Sequence, residues 1–237
     1  MRALERWQTA IAGNLASGSV PGYKKDDTTF TSALSGTSKT DADDLSPDVK
    51  HYIPKATTRI TDMQGNLQQT SRDLDFAVQG PGYFQVKTSD GKTGYTRNGE
   101  FHVDAKGVLV NNQGAEVQGE SGSLKINPSQ GAITVDKTGK VSQGDNQIGK
   151  LALFDLSKAG DLKRSGDGLM APAEENSTPA KVKDPQIFQG YTEDSNVNPM
   201  QEMVNMIQVS RAYEVSQKLI TSIDHTSESA IESLGNP

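Results

Sequence analysis

From Asn198 to Leu234 apolar residues fall three or four apart, and few folds of a 237-residue chain accommodate such a segment. Met200, Met203, Val204, Ile207, Ala212, Val215, Leu219, Ile223, Ala230, Ile231 and Leu234 keep mostly helical spacing. Asn198 is placed to cap the helix, Pro199 suits its first position, and Glu202 sits near the positive end of the dipole. Continuous to Leu234, such a helix runs about 55 Å at about 1.5 Å per residue. Nothing local supplies the surface to bury so long a stripe, so it needs a partner helix. Met200, Met203 and Met206 at its start suit adaptable packing against one.

The other end of the chain offers a shorter match. Leu4, Trp7, Ile11 and Leu15 form one apolar stripe between Arg2, Glu5, Arg6 and Gln8, which predicts an amphipathic helix within residues 1–25. Pro21-Gly22 ends it, because proline cannot continue the hydrogen-bond ladder. Residues 1–25 carry Arg2, Arg6, Lys24 and Lys25 against Glu5. The other terminus carries Glu193, Asp194, Glu202, Glu214, Asp224, Glu228 and Glu232 against Arg211 and Lys218. Opposite sign and matching amphipathicity predict that the termini pair, with each other or with other subunits. On charge alone, two solvated faces would look the same.

Between the ends the texture changes twice. Residues 26–56 are rich in Ser, Thr and Asp and read as a flexible or weakly structured acidic connector. Its Asp41, Asp43, Asp44 and Asp48 lack the glycine and distal glutamate of a calcium loop. Residues 57–191 read as an irregular all-β domain. The runs are Phe76–Val78, Tyr83–Val86, Phe101–Val103, Val108–Val110, Leu124–Ile126, Ala132–Val135 and Leu151–Phe154. Turns such as Asn98-Gly99, Asp104-Ala105-Lys106-Gly107, Asn112-Gln113-Gly114 and Asp136-Lys137-Thr138-Gly139 separate them, which predicts antiparallel hairpins. Residues 192–237 return to the long helix.

The residue types present exclude much chemistry. Without cysteine there are no disulfides, thiolate metal sites or cysteine nucleophiles, and His51, His102 and His225 stand alone. No cofactor or metal site is expected. A formal net charge of −6 argues against nucleic acid, and no apolar run approaches the roughly 18 residues of a membrane span. Met1–Ala16 has no continuous apolar core, so no cleavable signal is expected there. Gly80-Pro81-Gly82-Tyr83-Phe84-Gln85 lacks the third glycine of a dinucleotide loop and precedes a strand, so it reads as a turn. Glu100, His102 and Asp104 alternate onto one strand face, but their place beside a turn favours exposure over acid–base work. Tyr95-Thr96-Arg97-Asn98-Gly99 is either a surface recognition patch or a strand end entering a turn.

Several segments together resemble the bacterial flagellar basal-body rod proteins, of the family shared by rod and hook proteins. Near the start, Asn14-Leu15-Ala16 and Pro21-Gly22-Tyr23-Lys24 are similar to that family's opening signature. Gly65-Asn66-Leu67-Gln68-Gln69-Thr70 and Leu74-Asp75-Phe76-Ala77-Val78-Gln79-Gly80-Pro81-Gly82-Tyr83-Phe84 resemble the start of its β domain, and Tyr95-Thr96-Arg97-Asn98-Gly99-Glu100-Phe101 follows in order. Gln189-Gly190-Tyr191, Ser195-Asn196-Val197, Glu202-Met203-Val204-Asn205-Met206-Ile207 and Arg211-Ala212-Tyr213-Glu214 look like its terminal helix. Gly13, Ser17 and Ser210 depart from the pattern. The helix before Asn14 is also short for the family, so either the start lies upstream or the helix is reduced.

The resemblance implies a mainly β fold with terminal helices that pair as a coiled-coil-like inner layer. It implies a structural subunit rather than an enzyme, assembling with itself and with other rod and hook proteins. Export would run through the flagellar type III apparatus, with no cleaved signal, to the extracytoplasmic basal body. By inference the assembly residues are Leu4, Trp7, Ile11 and Leu15 on one helix, with Met203, Ile207, Val215, Leu219 and Ile223 on the other. Arg211-Ala212-Tyr213-Glu214 leans toward a distal rod subunit and the chain length toward a proximal one. A β-rich extracellular binding or adhesive module with a helical oligomerisation tail is the alternative.

Overall fold

The computed structural model describes residues 2–38, 49–127, 130–157, 159–165, 168–174 and 177–235, with side chains described from residue 2 to 32 and from 55 to 228 within these. The chain forms two compact units: residues 1–16, 26–59 and 198–237 make a helical unit, and residues 17–25 and 60–197 make a β unit. Asp41, Asp43, Asp44 and Asp48 lie outside the described residues, as do the side chains of Ala230, Ile231 and Leu234.

In the β unit every strand pairing among the described residues is antiparallel. The main sheet runs in the order Leu162–Arg164, Met170–Pro172, Thr93–Thr96, Tyr83–Lys87, Glu116–Gly119, Leu109–Asn111, Phe101–Val103. Its central strand Tyr83–Lys87 sets Phe84 opposite Thr96 and Val86 opposite both Gly94 and Val117. Because successive side chains point to opposite faces, Phe84 and Val86 enter one core with Phe76, Phe101 and Leu109, while Tyr83 joins Tyr95, Leu156 and Met170 on the other face. Covering both faces explains why this strand reads as a continuous apolar run. Phe84 meets Phe101 edge-on at 5.3 Å.

The turns repeat one device. Asp104 Oδ1 accepts from the amides of Lys106 and Val108, Asn111 Oδ1 from Gln113 and Ala115, and Asp136 Oδ1 from Thr138 and Lys140. In each case the carboxylate or amide oxygen closes a short hairpin loop that ends in glycine. The Thr138 hydroxyl and then the Lys140 amide hold the Asp136 carboxyl below the usual carboxylate range.

Sequence and structure differ at four places. Residues 192–197, expected with the long helix, belong to the β unit, where Tyr191–Glu193 is a strand paired with Leu67–Gln69. Leu124–Ile126 is not a strand: Leu124 and Ile126 are buried, but only Lys125 pairs, as an isolated bridge to Val108. The N-terminal helix, α1 (Arg2–Ala16), ends before Pro21-Gly22, and residues 17–25 belong to the β unit. Where a weakly structured connector is expected, β1 (Asp26–Ser38) and β2 (Val49–Ile60) form a two-stranded sheet in the helical unit. Thr28 pairs with Thr58 at 3.3 Å and Thr29 reaches the Thr57 carbonyl at 3.4 Å. Threonine-rich composition, read as polar filler, is also good strand composition, and cross-strand threonine pairs are its usual reward.

The rest of the helical unit is α1 and the long helix α2 (Pro199–Gly235). Asn198 caps α2 as expected, its Oδ1 accepting the Gln201 amide at 3.3 Å. Ala10, Ile11 and Asn14 are buried on α1, and Glu202 and Val209 on α2. Asn14 ties three elements together. Its Nδ2 donates to Glu202 Oε2 at 3.2 Å and to the Asp26 carbonyl at 2.9 Å, and its Oδ1 accepts the Asp26 amide at 2.8 Å.

Candidate assembly surface and a buried ionic junction

The helix α2 is apolar on two opposite faces. At about 100° per residue, Glu202, Asn205, Met206, Val209, Tyr213 and Ser216 share the face that is buried or half-buried in the helical unit. Burial stops at Ser216, as far as the fifteen-residue α1 can reach from Asn14 beside Glu202. On the opposite side Met200, Met203, Val204 and Ile207 are exposed; in the distal half Val215 and Leu219 turn away from that side and Ile220 and Ile223 fall in line with the covered one, beyond its end, all four exposed. Every described side chain from Gln217 to Glu228 is exposed. A helix apolar all round is one that ends up buried, and this chain covers only one side of half of it.

The expected assembly residues therefore separate into two groups. Met203, Ile207, Val215, Leu219 and Ile223 lie exposed on α2. Ile11 is buried in the chain's own packing, and Leu4, Trp7 and Leu15 are half-buried there, Trp7 lying edge-on to Phe30 at 5.4 Å. Val209 and Glu202, which are buried on α2, are missing from both the expected stripe and the expected interface set.

The β unit holds a second feature that the sequence reading did not assemble. Lys24, Glu193 and Arg97 have 0%, 1% and 2% of their surface exposed. Lys24 Nζ donates to Glu193 Oε1 at 2.6 Å and to the Met63 carbonyl at 2.7 Å. Arg97 Nη1 donates to Glu193 Oε2 at 3.1 Å and to the Val78 carbonyl at 3.0 Å, while its Nη2 reaches the Gly80 carbonyl at 2.5 Å. Glu193 Oε1 also accepts the Gly65 amide at 2.9 Å, and its main-chain carbonyl the Gly22 amide at 2.6 Å. The guanidinium lies 5.0 Å from the Tyr83 ring, whose hydroxyl donates to Asp62. Burial pushes the Lys24 ammonium below its ordinary pKa against the pull of Glu193, and burial followed by the Asp62 hydrogen bond pushes the Tyr83 phenol well above its own. One carboxylate thus serves two cations, and carbonyls take up further protons of both.

Most of the family-motif residues resolve around this junction. Gly22 adopts φ +69°, and a Cβ there would stand 2.2 Å from the Asn98 nitrogen, so only glycine lets the two segments meet. Gly99 faces the Phe76 carbonyl, whose oxygen lies 1.6 Å from where a Cβ would stand. Asn196 Oδ1 accepts the Lys25 amide at 2.7 Å and its Nδ2 donates to the Met63 carbonyl at 2.8 Å. Gly80 lends its carbonyl to Arg97, and Gly82 packs beside Val182 and Leu153. In the helical unit Asn14 and Leu15 lie on α1, Tyr213 is half-buried, and Arg211 and Glu214 are exposed. Tyr95, Thr96, Arg97 and Gly99 are buried, so Tyr95–Gly99 is a strand end entering a turn and not a surface patch.

Replacing Gly99 with alanine tests that close approach. The strand must part from Phe76 and the Phe76 amide to Gly99 carbonyl bond of 3.0 Å strains with it. The expected loss is about 2–3 kcal/mol, read as a lowered urea midpoint. A midpoint unchanged from the parent would rule the approach out.

Among the described residues no catalytic constellation emerges. Asp104 is engaged in its turn, and Glu100 accepts from Arg72 at 2.5 Å and from Asn112 at 3.4 Å, with His102 exposed beside them. Among the described residues no group of three or more His, Cys, Asp or Glu side chains could hold a metal ion. No described helix is long and apolar enough to cross a membrane.

Comparison with known proteins covers both units. Residues 77–143 match the flagellar hook protein FlgE/F/G D1 domain family, and residues 189–233 the flagellar basal body rod FlgEFG protein C-terminal family. The chain is 35% identical over 233 residues to the flagellar basal-body rod protein FlgF of Caulobacter vibrioides, covering 98% of this chain and 93% of that protein. It is 34% identical over 229 residues to FlgF of Salmonella typhimurium, covering 92% and 88%. It is also 34% identical over 234 residues to the flagellar basal-body rod protein FlgG of Buchnera aphidicola subsp. Schizaphis graminum, covering 90% and 88%.

Proposed function

The chain belongs to the flagellar basal-body rod protein family, and from that premise we propose that it polymerises with other axial proteins into a drive shaft that transmits torque and encloses the export channel. It is a structural subunit of the basal-body rod, not an enzyme, and its place is the flagellar basal body. These relatives support no adhesive module.

The observation that carries the polymerisation reading is the uncovered apolar surface of α2. Met203, Ile207, Val215, Leu219 and Ile223 are exposed in the single chain, and repeated head-to-tail contacts that do not close on themselves generate a helical tube. Residues Leu4, Trp7 and Leu15 support that surface from α1, and Ile11 acts within the chain. Delivery runs through the flagellar type III apparatus to the extracytoplasmic rod, without cleavage of a signal. In support, α1 packs in the folded helical unit through Ile11 and Asn14, so it is a working part of the subunit.

An in-frame deletion in the native host, with isolated basal bodies viewed by electron microscopy, tests the reading. The expected result is truncated rods without hook or filament, restored by the wild-type gene. Intact rotating flagella in the deletion strain would overturn it.

A further inference from the structure

We propose that the Lys24–Glu193–Arg97 junction is a late-closing latch: the β unit forms its main sheet first and takes in the segment Ser17–Lys25 only when Glu193 is in place to receive both cations. The distances along the chain set the order. Phe84 pairs with Thr96 and Val86 with Val117, partners 12 and 31 residues apart, whereas Lys24 meets Glu193 across 169 residues. Closing the longer loop costs more chain entropy and is rewarded only at its end.

Electrostatics sharpens the order into a condition. Before Glu193 arrives, bringing Lys24 beside Arg97 would bury two like charges without the carboxylate that bonds both, and Asp62, which also pulls on Lys24, is bonded to the Tyr83 hydroxyl; desolvation and mutual repulsion then oppose the approach. The lowered proton affinity of Lys24, set first by burial and opposed by Glu193, reflects that balance in the finished structure. Once Glu193 stands at its place, the same short stretch fixes the incoming segment along its length. The Glu193 carbonyl takes the Gly22 amide, Asn196 donates its amide to the Tyr23 carbonyl at 3.3 Å, and Asn196 Oδ1 takes the Lys25 amide. Arg164 then donates to the Lys24 carbonyl at 2.6 Å. A chain whose C-terminal part has not arrived keeps Ser17–Lys25 unlocked. On the rod reading, this leaves a chain in transit open until nearly all of it has passed; that consequence rests on the proposed function, and the latch itself does not.

Pulse-labelling hydrogen exchange during refolding of the full-length chain from urea tests it. The amides of Leu109 and Asn111, on one strand of the main sheet and bonded to the carbonyls of Leu124 beside it and of Ala115 at the end of its hairpin loop, report the placement of that strand. Those of Gly22 and Gly65, bonded to Glu193, report the latch. The expected result is protection of Leu109 and Asn111 in an earlier phase than Gly22 and Gly65. In Glu193→Gln, unfolding should accelerate about tenfold or more while sheet formation stays within about twofold of the parent, as for an interaction absent from the transition state. Protection of all four amides in one phase would overturn the latch, and so would a variant that slows sheet formation or leaves both rates unchanged. If the variant does not fold, the parent's labelling order decides alone. Because the measurement uses purified chain, its failure leaves the rod reading standing, and the deletion experiment bears on that reading without touching the latch.

Discussion

Glu193→Leu should lower the unfolding free energy of the β unit by about 3–5 kcal/mol, the cost of stranding buried charge. The carboxylate is the shared partner of Lys24 at 2.6 Å and Arg97 at 3.1 Å, and the two cations are essentially without solvent exposure. Leucine fills similar space and returns nothing to either cation, so both must find water by opening the junction or lose their charge-assisted hydrogen bonds. Contrast Arg72, which pairs with Asp75 and Glu100 but keeps 60% of its side chain exposed; water can replace its partners and the pair is worth little. Urea unfolding of the full chain, followed by a probe of the β unit, reads the difference. A loss below about 1 kcal/mol would put the junction in the class of surface pairs and sink the claim that it holds the unit together.

The second large effect leaves the single chain stable and removes its assembly. Ile207 and Leu219 are 54% and 58% exposed, so Ile207→Asp and Leu219→Asp should shift the stability of the subunit by no more than about 0.5 kcal/mol. In a polymer that covers the exposed apolar residues of α2, the same carboxylates would be buried without a partner, at several kcal/mol for each contact. The expected outcome is a folded, soluble subunit that supports neither rod completion nor swimming. Swimming halos of wild-type size with full-length rods would show that α2 does not pack through this surface. Ile11→Asp makes the internal comparison, since Ile11 is buried within the chain and the change should unfold the helical unit itself.

The parts legible in the sequence are those whose signal is local. The cap at Asn198, the long α2, the strand Tyr83–Lys87 and the loops Asp104–Gly107 and Asp136–Gly139 follow from neighbours a few residues apart. The junction does not. Lys24 and Glu193 count only among the opposite charges of two ends expected to pair; nothing marks them as buried, which charged residues seldom are, and no local pattern singles out a partner 169 residues away. A usable signal was present in the glycines: Gly22 and Gly99 stand close in sequence to Lys24 and Arg97, marking backbone that must approach other backbone. The apolar stripe of α2 was visible, but not its division into a side the chain covers and a side it leaves open. Spacing alone cannot say how long the partner helix is. Likewise β1 and β2 were hidden by composition, since threonine serves loops and strands equally well in a list of residue types.

The contact between Trp7 and Phe30 carries an experimental convenience. Trp7 is the only tryptophan in the sequence, and both rings belong to the helical unit. Its emission is therefore a private signal of α1 against β1, whereas the six tyrosines are shared between the two units. A melting curve recorded at the tryptophan emission would follow the helical unit by itself, without a label, a truncation or a single substitution.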